Sequence, residues 1–261
     1  MITVFTPTYN RANLLPDLYE SLKRQTCKDF EWVIVDDGST DDTEKLVNSW
    51  LPQADFSVLY IKKENGGKQR AVNLGLQHAK GKWFFIVDSD DILPDNAIET
   101  ALRWANTIED KDYFGGVAGL KGYKDGKAIG SSFEGEYLDA TTLERPKYNI
   151  TGDKAEIFAT EVLKKFPFPE FEGEKFVPEA LVYNRIAQAG YKLRWFNEII
   201  YLAEYQPDGY SANTDRLLIS NWKGYSLYVK EVMVSDMPFK NKILIFGAWC
   251  LRGVKRLCRK G

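Results

Sequence analysis

Apolar residues in the first third of the chain follow two alternating rhythms. Short apolar runs at Ile2–Thr6, Trp32–Val35, Phe56–Ile61 and Trp83–Val87 read as strands, and between them apolar positions return every three or four residues, the period of a helix. Leu14, Leu15, Leu18 and Leu22 mark the first helical face, with Pro16 tolerated in a first turn whose N–H groups lack helical partners. Ser39 or Thr40, followed by Asp41, Asp42 and Glu44, predicts a capped helix with an acidic first turn that runs to about Trp50. Helices are also expected over Gln69–Ala79 and Pro94–Ile108. Trp83–Val87 is apolar at every position, as a strand buried on both faces requires. Strands alternating with helices in this way predict βαβ units and a parallel sheet.

The pattern changes beyond Tyr113. Shorter, glycine-rich segments (Phe114–Gly122, Ala128–Phe133) predict hairpin strands, Glu156–Thr160 a further strand, Pro178–Ala189 a helix and Tyr191–Glu204 a long aromatic strand. Residues 215–233 read as helical, and 243–258 are apolar and then basic. No repeat or low-complexity linker intervenes. We therefore expect one α/β domain over residues 1–239, with a mostly parallel half (1–110), a mixed-sheet half (111–214) and a helical extension (215–239), followed by a basic amphipathic tail (240–261).

Composition narrows the class. With 44% hydrophobic and 28% charged residues the chain is globular, and no apolar run approaches the ~18–20 residues that span a bilayer. Cys27, Cys250 and Cys258 are too scattered for a disulfide framework or a zinc site, and the N-terminus does not resemble a secretion signal, so a cytoplasmic location is expected. The net charge of −2 conceals an asymmetry. Residues 240–261 hold seven of the 35 basic residues and no acid, which leaves 28 against 37, or −9, for the rest. An acidic body of this kind does not bind nucleic acid.

Carboxylates gather where the strands should end. Asp36 and Asp37 follow Trp32–Val35, and Asp88, Asp90 and Asp91 follow Trp83–Val87. In a parallel sheet both groups lie at the C-terminal edge, where open α/β sheets bind ligands. Acids so concentrated call for a cation, and oxygen-only ligands suit Mg²⁺ or Mn²⁺. Asn65-Gly66-Gly67-Lys68-Gln69-Arg70 joins a flexible glycine pair to two cations at a helix start, whose N–H groups favour phosphate. His78, the only histidine, falls near a helix end, which leaves carboxylates to carry any proton transfer. Trp195, Phe196, Tyr201 and Tyr205 read as core or sheet-face aromatics.

Thr6-Pro7-Thr8-Tyr9-Asn10-Arg11, Val35-Asp36-Asp37-Gly38-Ser39-Thr40-Asp41, Asn65-Gly66-Gly67-Lys68 and Asp88-Ser89-Asp90-Asp91 occur in the order and spacing of glycosyltransferase family 2, and over roughly the first 100 residues the chain resembles its bacterial-type, inverting members. The resemblance implies a GT-A fold, α/β with a Rossmann-like nucleotide-binding half continuous with an acceptor-binding half. It further implies a nucleotide-diphospho sugar donor, most simply a UDP-sugar, a glycan or lipid-linked acceptor in cell-surface polysaccharide synthesis, and Mn²⁺ or Mg²⁺. Pro7, Thr8, Tyr9, Arg11, Asp36 and Asp37 would line the nucleoside pocket, and Lys68 or Arg70 would approach the base or diphosphate. Asp88 and Ser89 would meet the donor. Asp90 would hold the metal, with Asp88 or Asp91 sharing the task. For the catalytic base the family uses an acid pair opening a helix, with arginine six residues on. Here Glu179 precedes Arg185 by six, with Pro178 in place of the first acid, so Glu179 leads and Glu174 is the reserve. The stretch Tyr205–Ser211 resembles the loop that closes over the substrates.

Two other readings are open to the same residues. Asp88-x-Asp90 after a buried strand also resembles the nucleophile motif of haloacid-dehalogenase-like phosphatases, although Ile92 replaces the usual Thr or Val and the upstream motifs go unexplained. A non-catalytic sugar-nucleotide-binding module is the other. The tail could lie on an anionic membrane surface as an interfacial helix, making the enzyme peripheral on the inner face of the membrane, or could pack on the domain.

Overall fold

The computed structural model describes residues 1–109, 113–204, 206 and 213–258. Strands β1 (Ile2–Thr8), β2 (Phe30–Asp36), β3 (Ser57–Lys62) and β4 (Trp83–Ile86) run parallel in the order β3-β2-β1-β4. Helices α1 (Leu15–Lys23), α2 (Thr43–Trp50) and α3 (Lys68–His78) connect them, and α4 (Ala97–Asn106) follows β4. Strand order reverses at β1, which has β2 on one side and β4 on the other, so a crevice opens at the C-terminal ends of these strands.

Strands β5 (Phe114–Gly122), β6 (Tyr137–Ala140), β7 (Lys154–Ala159) and β8 (Lys192–Leu202) extend the same sheet in the order β4-β7-β5-β8-β6. Only the β5–β8 pair of this half is parallel. Helices α5 (Thr160–Lys165) and α6 (Glu179–Gln188) belong to this half, and α7 (Thr214–Ser220), α8 (Trp222–Val234) and α9 (Phe239–Cys258) follow it. A 3₁₀ turn over Thr142–Tyr148 and α5 carry no clear periodic signal in the sequence.

Burial on both faces of the sheet explains the unbroken apolar runs. Trp32 and Ile34 enter one core layer, and Val33 and Val35 enter the other. Phe5 and Phe84 stack at 5.1 Å between centroids in the second layer. α3 approaches β1 closely because Gly75 has no side chain, and a Cβ there would lie 2.2 Å from the Phe5 ring.

Two expectations are corrected. Ser39 and Thr40 do not cap α2, which starts at Thr43. The Asn10 amide donates to Ser39 Oγ (2.8 Å) and the Thr40 amide to Asn10 Oδ1 (2.8 Å), so both residues tie down the exit of β1. Ala128–Phe133 is not a strand and makes only a single bridge at Ala128. Gly130 turns the chain at φ +73°, against the Thr151 carbonyl, and β6 pairs with β8 instead. Residues 215–233 are helical as expected, in two helices that meet at Asn221, whose backbone is non-helical and whose Oδ1 accepts from the Lys175 amide (2.7 Å).

The tail packs on the domain along one face. Ile245 and Trp249 pack against α7 and α8, with Trp249 stacked on Trp222 at 5.4 Å, and Arg252 and Lys255 pair with Asp215 at 2.7 and 2.8 Å. The opposite face of α9 leaves Phe239, Ile243, Leu244, Leu251, Val254 and Leu257 exposed. Among the described residues no helix is long and apolar enough to cross a membrane.

Gly75→Ala provides a sign test of the α3–β1 contact. Helix propensity alone favours alanine by about 1 kcal/mol. The Phe5 ring is fully buried and cannot yield, so the substitution should instead destabilise the protein by about 1–3 kcal/mol in urea unfolding.

Candidate active site

A cleft of about 240 Å³ lies at the ends of β1 and β4. Pro7, Thr8, Tyr9 and Arg11 line it from the exit of β1, Asp37 from that of β2 and Lys68 from the start of α3. Asp88, Ser89, Asp90 and Asp91 line it from the turn after β4. The register that pairs Thr8 with Asp36, and the Asp37 amide donating to the Thr8 carbonyl at 2.8 Å, bring the first two groups together. Thr8 Oγ1 is buried there with no hydrogen-bond partner among the described residues, and Tyr9 stands 48% exposed at the rim. Lys121 of β5, Asp153, Glu204 and Gln206 close the cleft from the second half.

The glycine pair is held differently from the expected phosphate cradle. The amides of Gly66 and Gly67 donate to Asp37 Oδ1 and Oδ2 at 2.8 and 2.7 Å, and Lys63 Nζ donates to Oδ1 at 2.7 Å. These amides are therefore committed to a buried carboxylate. Gly67 has φ +97°, and its Cβ would fall 2.0 Å from the Lys175 carbonyl oxygen, so only glycine fits. Asp36, expected beside Asp37 in the pocket, is fully buried outside the cleft. It accepts from the Ser39 amide at 2.7 Å and the Tyr60 hydroxyl at 2.5 Å. Arg70 does not line the cleft either. Its guanidinium clasps the carbonyls of Gly66, Phe171 and Glu174 and pairs with Glu170 at 3.2 Å, fixing the loop that leads to α6.

The charges that remain centre on Lys68. Its Nζ lies 2.6 Å from Asp88 Oδ1 and 2.8 Å from Glu179 Oε1, joining the turn after β4 to the first residue of α6. Burial alone would lower the ammonium's pKa, but Asp88 and Glu179 hold it above the usual lysine range. Burial pushes Asp88 upward, yet Lys68 and then Lys121 bring its carboxyl below the ordinary carboxylate value. Asp91 goes the other way. Burial, and then the charge of Asp88, raise it to about 7, and it accepts from the Tyr201 hydroxyl at 2.5 Å and the Glu204 amide at 2.7 Å. That lining carboxyl is thus tied to β8.

Glu174, the reserve base, is placed elsewhere. Its two oxygens accept from the amides of Lys223 (2.7 Å) and Gly224 (2.9 Å), so it caps the N-terminus of α8 from outside the helix. Arg185 pairs with Glu231 of α8 at 2.7 Å, which locks α6 to that helix and fixes the direction of Glu179. Burial, followed by the charges of Glu179, Glu156 and Asp88 and a hydrogen bond to Glu179, holds the Tyr183 phenol well above its usual pKa.

The donor set suits a hard divalent cation. Apart from its own backbone N–H, the Asp90 carboxylate has no hydrogen-bond or ion-pair partner among the described residues, and burial and then Asp88 push its pKa upward. Among the described residues no three acidic, thiol or imidazole groups converge on one point. The chain therefore offers Asp90, with Asp88 beside it, to an ion that takes its other oxygens from elsewhere, as Mg²⁺ does with substrate phosphates.

Lys121 and Glu156 escaped the sequence reading, in which Tyr201 is only a core or sheet-face aromatic. Lys121 is the only charged residue in β5 and stands 3.9 Å from the centroid of the Tyr201 ring, whose hydroxyl also accepts from the Asp88 amide. A lone lysine in an apolar, glycine-rich strand is the signal that could have found it. In the Tyr205–Ser211 stretch only Gln206 lies within the described residues.

Comparison with known proteins agrees with this geometry. The family model described as "Glycosyl transferase family 2" matches residues 3–160. The glycosyltransferase GlyG of Streptococcus pneumoniae is 38% identical over 113 residues, which are 43% of this chain and 36% of GlyG. The match spans about a third of the length of such curated relatives. Among solved structures, S. aureus TarS in complex with UDP-GlcNAc superposes with a TM-score of 0.70 at 22% identity, over 96% of this chain and 72% of that one. The mannosyltransferase PcManGT from Pyrobaculum calidifontis, in complex with GDP-Man and Mn²⁺, has a TM-score of 0.65 at 21% identity, over 97% of this chain and 73% of that one. The fold is that of GT-A glycosyltransferases.

Removing the Glu174 carboxylate should separate support from chemistry. Glu174→Ala leaves two buried amides unpaired and should cost about 1–3 kcal/mol in thermal or urea unfolding. UDP affinity, followed by calorimetry, should change by less than about threefold because no cleft-lining group is lost.

Proposed function

The chain belongs to glycosyl transferase family 2, and from that premise we propose that it transfers a sugar from a UDP-sugar to a hydroxyl of a glycan or lipid-linked acceptor, inverting the anomeric centre. The observation that carries this reading is the position of Glu179, which opens a helix beside the cleft and is held by the lysine that also holds Asp88. Glu179 takes the proton of the acceptor hydroxyl as that oxygen attacks the anomeric carbon from the face opposite the nucleotide. The bond from that carbon to the diphosphate oxygen breaks, and its electron pair leaves with UDP. Tyr9 at the rim and the unpaired Thr8 Oγ1 receive the nucleoside, while Lys68 lies within reach of the diphosphate. A bound Mg²⁺ or Mn²⁺, held by Asp90 with Asp88, would supply positive charge to the departing diphosphate. UDP-GlcNAc in TarS, and GDP-Man with Mn²⁺ in PcManGT, support a nucleotide-sugar donor and a divalent ion. The family match displaces the haloacid-dehalogenase-like phosphatase reading. The available Glu179 and Asp90 favour an enzyme over a binding module, and donor hydrolysis by the wild type separates the two.

Substitution divides binding from chemistry. Glu179→Gln should lower kcat for transfer by about 10²-fold or more with little change in UDP affinity. Asp90→Ala should abolish transfer together with the gain in UDP affinity that Mn²⁺ confers on the wild type. Undiminished wild-type activity in EDTA would refute the metal role.

The exposed side of α9 suits an anionic lipid surface at the cytoplasmic face of the membrane, since it presents an apolar strip on a helix that carries five basic residues and no acid. Vesicles containing phosphatidylglycerol should retain the full chain at low salt. Leu251→Glu together with Val254→Glu should release it and leave the Trp222–Trp249 seat intact. Equal retention of wild type and variant would place the strip outside any membrane contact.

A further inference from the structure

A second cavity, of about 270 Å³, lies behind the first turn of α6 and is lined by Thr142, Arg145, Tyr183, Asn184, Tyr228 and Met237, among others. It has room for about nine waters at roughly 30 Å³ each, the scale of one sugar ring with its hydroxyls. A single loop separates it from the donor cleft, with Thr151 and Gly152 facing the second cavity and Asp153 facing the cleft. α6 divides the two in the same way. Its first residue, Glu179, pairs with cleft-lining Lys68, and Ala180, Tyr183 and Asn184 line the second cavity.

The polar groups in this wall are unspent. Asn184 is only 8% exposed, and its side-chain amide has no hydrogen-bond partner among the described residues. The Tyr228 hydroxyl has none either, and burial raises its pKa. Polar groups that face a cavity without a protein partner are open to the hydrogen bonds of a ligand. The cation in the wall is already compensated, because Arg145 faces Glu156 at 3.4 Å and donates to the Gly152 carbonyl. A neutral ligand is therefore favoured. An amide presents a donor beside an acceptor, the complement of two neighbouring hydroxyls, and the rings of Tyr183 and Tyr228 supply apolar faces for C–H groups.

We infer that this cavity seats a neutral sugar unit of the acceptor, one residue removed from the hydroxyl that reacts. The inference rests on the transfer reading above. Tyr183 links the two places, since it lines the cavity and sits one turn of α6 beyond Glu179, whose charge acts on its phenol.

Ligand-observed saturation-transfer NMR on the whole protein, with the methyl glycosides of glucose, galactose, mannose, N-acetylglucosamine and rhamnose as probes, tests this. At least one glycoside should give a signal that persists in excess UDP. That signal should fall about threefold or more in Asn184→Leu and in Tyr228→Phe, the effect of losing one hydrogen bond. Tyr228→Phe removes only a hydroxyl and decides the matter if Asn184→Leu does not fold. Absence of any signal, a signal that UDP abolishes, or one that both folded variants retain would overturn the assignment. UDP binding, measured separately by calorimetry, reports on the donor reading, so failure of either claim is recognised independently of the other.

Discussion

One ammonium group joins the two halves of this site. Lys68 Nζ stands within 2.8 Å of carboxylates from the turn after β4 and from the start of α6, which are 91 residues apart in sequence (Asp88 and Glu179). Without it Asp88 and Glu179 would face each other as two half-buried like charges, an arrangement that repels. The rest of the cleft is arranged to make the pairing possible. Asp37 pins Gly66 and Gly67 so that α3 begins at Lys68, Arg70 fastens the 171–174 loop to the same turn, and Arg185 clamps α6 to α8. Groups expected to touch a ligand directly therefore serve instead to position Lys68.

That substitution explains which parts of the site were legible in the sequence. Motifs at strand ends gave the correct edge of the sheet, because parallel topology alone sends every residue after β1, β2 and β4 to one side. Adjacent acids in a motif are harder to sort. Asp36 and Asp37 are consecutive and project differently, and only the register of β2 against Tyr60 and Ser39 decides that Asp36 is sealed in the core. Glu174 and Glu179 raise the same difficulty at longer range. One caps α8, 48 residues downstream at Trp222, a relationship that no local pattern encodes.

The second half was less legible for a physical reason. In βαβ units each strand's neighbour follows from handedness and connection length, whereas β5 to β8 interleave parallel and antiparallel partners that are distant in sequence. Glycine turns set these pairings. Gly130, held at positive φ against the Thr151 carbonyl, ends what reads as a strand, and the edge position passes to Tyr137–Ala140. Lys121 and Tyr201 thereby meet although they lie 80 residues apart in sequence.

The opposite pKa directions of Asp88 and Asp91 follow from the same arrangement. Both acids stand in one turn, but half-buried Asp88 faces Lys68 and Lys121, while buried Asp91 faces a phenol and a backbone amide and feels Asp88 as a neighbouring negative charge. One turn thus presents a carboxylate paired with lysine, a half-buried one at Asp90 whose carboxylate has no side-chain partner among the described residues, and a third committed to the sheet. The sheet contact of Asp91 fixes the turn, so that the three carboxylates keep distinct environments although only three residues separate the first from the last.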